Sequence, residues 1–132
     1  MSPTAAAART HVPWSVVIPF ALSGVLHLVR PRTFTGIIPA PLRPWGRPLV
    51  LASGVAELVC AAGLVVPGTR RAAGVASAGL LLAVWPANAQ MSLSLGRRAR
   101  RRRDARSVVA FAVSVLRLPV QIPLVRSALR AR

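Results

Sequence analysis

Five side chains that can bind a polar head group or pass a proton lie inside otherwise apolar sequence: His27, Glu57, Asn88, Arg117 and Gln121. An imidazole and a carboxylate can exchange a proton, a guanidinium can bind a carbonyl or anion, and two amides can orient a ligand. Charges inside a membrane segment need partners, and they mark functional sites by default. The plainer reading of Glu57 and Arg117 is a buried pair that holds helices together and binds nothing. His27, near the end of its segment, suits an interfacial role, and Cys60 suits apolar packing. A single cysteine with no CxxC or paired Cys and His gives neither a zinc site nor a dithiol centre, so no metal and no intrinsic cofactor are expected.

These residues require elements that cross a bilayer. The 132 residues are 54% apolar and carry a formal charge of +16, from 18 Arg against Glu57 and Asp104. Mean hydropathy is +0.55, which excludes a wholly disordered basic chain. Four apolar stretches, 12–29, 48–67, 72–95 and 107–129, approach the roughly 20 residues that a transmembrane helix needs. The expected fold is all-α, a single domain over 1–132 forming an integral membrane four-helix bundle. Pro13, Pro19, Pro86, Pro119 and Pro123 predict bends within it. Ser53 with Gly54, and Gly74 with Ala78, permit close helix approach.

The segment 30–47 reads as irregular, with Trp45 as an interfacial anchor, and 97–106 as an Arg-rich loop. These two connections carry eleven Arg against six on the opposite side, which places them in the cytoplasm and both termini outside. The Arg tract attracts anionic lipid headgroups. It lacks the interleaved aromatics or recognition helix of a nucleic-acid binder, so no nucleic-acid partner is expected. Counted from the long-loop side, Glu57 and Arg117 each lie about 14 to 15 Å deep, with Asn88 and His27 shallower. Arg117 and Gln121, four apart, share a helix face. The expectation is a cavity open to the cytoplasmic side, lined by all five residues.

GVLHLVRPRTF at 24–34, SGVAELVCAAGLVVPGTRRAAG at 53–74, WPANAQM at 85–91 and RLPVQIPLVRSAL at 117–129 resemble the DoxX-like membrane proteins. The pattern falls on His27 and Pro31, on Glu57, Gly63 and Pro67, on Pro86 and Asn88, and on Arg117, Pro119 and Gln121. The long Arg tract, Trp85 and Ala89 depart from it. The resemblance implies a small four-helix bacterial protein of the plasma (inner) membrane, associated with redox chemistry, and it carries no catalytic assignment. On that reading the chain is an accessory subunit, not an enzyme on its own. Its polar site would take a quinone-like or other small ligand, and an oxidoreductase partner protein would supply electrons. A small proton-coupled transporter and a ligand-free structural or assembly protein are the alternatives.

Overall fold

The computed structural model describes residues 11–131; Arg9 and Arg132, both counted in the charge asymmetry, lie outside that range. The described residues form α1 (Trp14–Val29), a short α2 (Arg32–Thr35), a 3-10 turn (Ala40–Trp45), α3 (Gly46–Val65), α4 (Arg70–Arg102) and α5 (Ala105–Leu129). Three stretches, Ala40–Val65, Arg70–Arg102 and Ala105–Leu129, are long and apolar enough to cross a membrane. The first expected span, 12–29, forms a shorter apolar helix of 16 residues, about 24 Å of rise. The connection at 30–47 is less irregular than its Pro and Gly content predicts, since α2 and the 3-10 turn occupy part of it.

The Arg-rich stretch at 97–106 is mostly helix. Arginine and alanine are strong helix formers, so α4 runs through Gly96 to Arg102. Arg103, at φ 50°, closes it in the left-handed conformation, and its N–H donates to the Ala99 carbonyl. Asp104 then caps α5, accepting from the Ser107 N–H at 2.8 Å and the Ser107 hydroxyl at 3.0 Å. The expected loop is therefore a turn of two residues, Arg103 and Asp104.

Successive long helices run antiparallel. α1 packs on α3, α3 on α4 and α4 on α5, and a smaller contact joins α1 to α5. Ser15 Oγ of α1 and Ser127 Oγ of α5 meet at 3.0 Å. The apolar core is concentrated at one end. Val16, Val17 and Phe20 of α1 meet Cys60, Ala61 and Leu64 of α3, Ala78 and Leu81 of α4, and Ala128 beyond them. At the same end the buried Arg70 donates from Nε to the Leu64 carbonyl and from Nη2 to the Val65 carbonyl, both at 2.8 Å. A helix leaves its last carbonyls without partners, and a cation there also suits the negative end of the helix dipole. Arg70 thus secures the turn from α3 into α4.

Along α5 the buried residues are Ser107, Ser114, Gln121 and Ala128, one every seven positions. Facing them, α4 buries Gly74, Ala78, Leu81, Asn88, Ser92 and Ala99. A seven-residue repeat of buried positions is the mark of two helices held along a continuous seam. Here the seam is built largely from small and polar side chains, which bring the two backbones close.

Candidate functional site

The crossing of α1 and α3 sets the site. A methyl group on Gly24 would come within 2.8 Å of the Gly54 carbonyl, and one on Gly54 within 2.8 Å of His27 Cβ. Both positions therefore need to lack a side chain for the helices to meet. Beside that crossing lie Ser23 and, about one turn on, His27 of α1, and Ser53 and, about one turn on, Glu57 of α3. Each pair is four residues apart and so shares a helix face.

His27 Nδ1 lies 3.1 Å from Ser53 Oγ and 3.5 Å from Glu57 Oε2. The Phe34 ring meets the imidazole edge-on, with centroids 4.4 Å apart, and fixes its plane. Ser53 Oγ also lies 3.4 Å from the Val50 carbonyl, to which it can donate. A hydroxyl has one proton and can also accept. When Nδ1 carries hydrogen, Ser53 accepts from it and turns its own proton to Val50; when Nδ1 is bare, Ser53 donates to it. The network therefore accommodates both protonation states at Nδ1 without moving a backbone atom. Glu57 is buried, and its Oε2 makes no hydrogen bond among the described residues.

Arg117 does not complete an ion pair with Glu57: no contact within 4.0 Å joins them, although its charge acts on both Glu57 and His27. The reason is helix length. Gly63 of α3 abuts Ala73 of α4, while the Gln121 amide of α5 reaches the Leu81 carbonyl of α4. On this common scale Glu57 stands about 9 Å above the Gly63 and Ala73 level, and Arg117 about 18 Å above it. Equal counts from the long-loop side do not mean equal heights, because α4 and α5 extend past α1 and α3. Arg117 is exposed and approaches the pair from above.

Gln121 and Asn88 belong elsewhere. Gln121 Nε2 donates to the Leu81 carbonyl at 3.0 Å, and its buried Oε1 has no hydrogen-bond partner among the described residues. Its side chain borders a groove of about 330 Å³ between α4 and α5, walled by Leu82, Trp85 and Val125 with Arg126 at the rim. Asn88 is buried in the α4/α5 seam, where its carbonyl accepts from Ser92 Oγ at 3.2 Å. The five residues expected around one cavity thus divide into His27 with Glu57, an electrostatic neighbour Arg117, and two seam residues.

Two contributors were not singled out as ligands or proton carriers in the sequence. Ser53 was legible there only as a small residue, though its place one turn from Glu57 was a usable signal. Arg70 was counted merely as a loop charge. Among the described residues no group of three or more His, Cys, Asp or Glu could hold a metal ion.

Residues 16–132 match the family described as Domain of unknown function (DUF8561), and the chain belongs to that family. No curated protein and no solved structure matches the chain.

Proposed function

We propose that this DUF8561 chain is a multi-pass protein of the plasma membrane, a four-helix bundle whose His27, Ser53 and Glu57 form an intramembrane proton-handling site. As in the DoxX-like proteins it resembles, the site serves a redox-associated accessory subunit and takes the head group of a quinone-like ligand. Arg117 offers a guanidinium to a ligand oxygen, and His27 and Glu57 exchange the proton that accompanies reduction or oxidation of that head group. Electrons come from an oxidoreductase partner protein.

Two features support the membrane placement. Three of the helices have the length and composition to cross. Trp14 and Trp45, both exposed, lie ten and nine residues to either side of the Gly24 and Gly54 crossing, about 28 Å apart along the helix axes. That separation matches a hydrocarbon layer of roughly 30 Å with an aromatic anchor at each face.

The observation that carries the proton role is the buried Glu57 Oε2 without a hydrogen bond, 3.5 Å from an imidazole nitrogen whose two states Ser53 can serve. A buried carboxylate oxygen left without a hydrogen bond is costly unless it has work to do. The test is titration of a short-chain quinone into the purified protein in lipid nanodiscs. Glu57→Gln and Arg117→Ala should each weaken binding at least tenfold. Unchanged affinity in both variants, with thermal stability lowered by Glu57→Gln, would leave a pair that only joins α1 to α3. Proton-coupled solute uptake in proteoliposomes, abolished by Glu57→Gln, would point to a transporter instead.

A further inference from the structure

The free end of the α4/α5 hairpin contains a cavity of about 470 Å³, lined by Ser92, Leu93, Gly96, Arg97, Ala99, Arg100, Val108 and Phe111. Its volume lies in the range of sites that hold small molecules. We propose that it binds one anionic phospholipid, with the phosphate between Arg97 and Arg100 and the upper acyl chain along Leu93, Val108 and Phe111.

Three observations converge on that occupant. The first is height: on the scale set by Gly63 and Ala73, the Gly46 start of α3 is level with Gln90, so the cavity begins about 3 Å above it and ends about 15 Å above it. Trp45 stands at the lower edge of this layer, and lipid headgroups occupy roughly 5 to 8 Å outside each face of the hydrocarbon. The Arg97 and Arg100 backbones lie about 10 and 15 Å up, and their long side chains, tilted toward the helix N-terminus, reach back down to the headgroups. The second is chemistry. Arg97 and Arg100 are three apart on one helix face, where two guanidiniums can grip one phosphate through paired N–H donors. Below them Leu93 and Val108 remain at least half exposed, apolar surface beneath the two guanidiniums for the glycerol and the start of a chain. The third is charge: the one nearby acid, Asp104, is held by Ser107, and the guanidiniums acting on it are Arg102 and Arg98 rather than the two that line the cavity.

Gly96 keeps the floor open. A methyl group there would meet the Phe111 ring at 2.9 Å, so a larger residue would drive that ring from its place.

The proposal rests on the membrane placement but not on the His27 and Glu57 chemistry. Carbonate extraction of membranes tests the former separately: a chain released into the supernatant would end both readings at their common premise. For the cavity itself, the purified full chain in uncharged detergent is titrated with short-chain phosphatidylglycerol, phosphatidylcholine and inorganic phosphate. Arg97→Gln with Arg100→Gln should weaken phosphatidylglycerol binding at least tenfold. Arg102→Gln with Arg103→Gln, an equal loss of charge outside the cavity, should weaken it less than twofold. Val108→Trp, which fills the floor and keeps every arginine, should also weaken it severalfold. Equal losses for the two arginine pairs would overturn the proposal in favour of diffuse attraction to the whole tract. Inorganic phosphate binding as tightly as the lipid, with Val108→Trp without effect, would overturn it in favour of a free anion.

Discussion

The two hairpins of this protein hold antiparallel helices together by different means. α1 and α3 pack along most of α1, from Val16, Val17 and Phe20 against Cys60, Ala61 and Leu64 to a closest approach where Gly24 and Gly54 face each other. The polar pair His27 and Glu57 lies beside that approach. α4 and α5 lie along a seam in which α5 buries one residue every seven, from Ser107 to Ala128. Two glycines at the crossing bring the α1 and α3 backbones close and set His27 beside Glu57. A long seam spends its polar residues on packing, which is why Gln121 and Asn88 are drawn away from the proton pair.

The contrast predicts unequal responses to added bulk. Gly54→Leu should be strongly damaging, costing about 3 kcal/mol or more, because its new atoms meet the His27 stem and the Gly24 backbone, neither of which can yield. Gly96→Ala on the other hairpin meets only the Phe111 ring, which can turn aside, and gains about 1 kcal/mol of helix propensity, so it should be near neutral. Thermal unfolding of the two variants in the same detergent measures the difference; equal losses would erase the distinction between a glycine walled by backbone and one walled by a movable ring.

Next in size is the turn that joins the two hairpins. Arg70→Ala removes a buried guanidinium from the Leu64 and Val65 carbonyls, and charged hydrogen bonds contribute about 1.5 to 3 kcal/mol. Amide hydrogen exchange should quicken at the end of α3 in this variant before it quickens in the seam. A smaller effect of opposite sign is expected at Arg103, whose φ of 50° suits glycine: Arg103→Gly should stabilise by about 0.5 to 1 kcal/mol in the same unfolding assay.

The smallest effect concerns pH. The Ser107 backbone N–H holds the Asp104 carboxyl below its ordinary value, aided by the Ser107 hydroxyl and by Arg102 and Arg98. A depressed pKa means that the ionised form favours the folded state. The contribution is complete above the ordinary aspartate value and is lost as pH falls through the lowered one. Asn caps helices as well as Asp does, so Asp104→Asn should retain α5 helicity by circular dichroism and remove this acid-dependent component.

The all-helical fold was legible from the four apolar stretches, three of which form helices long enough to cross a membrane, and the ends of α1, α3 and α5 fall within two residues of the expected ones. What escaped was the height of each helix relative to the others. That quantity depends on α4 running on through its arginines, and charge alone reads as loop although arginine propagates a helix well. The same oversight placed Arg117 level with Glu57. His27 and Glu57 were both visible as polar residues in apolar surroundings, but their partnership was not, since it depends on two glycines in different helices lying face to face. The seven-residue spacing of Ser107, Ser114, Gln121 and Ala128 stood in the sequence, yet only the partner helix distinguishes a packing repeat from a row of ligands.

A helix of 16 residues and one of 33 stand in the same molecule. Surrounded by lipid, the apolar part of α4, 72–95, rises about 36 Å against about 24 Å for α1, and the mismatch is relieved by thinning the leaflets beside α1 or by tilting the longer pair. Either response deforms the bilayer asymmetrically around the protein, so that its preferred neighbours, whether shorter lipids or another protein, gather on the α1 side.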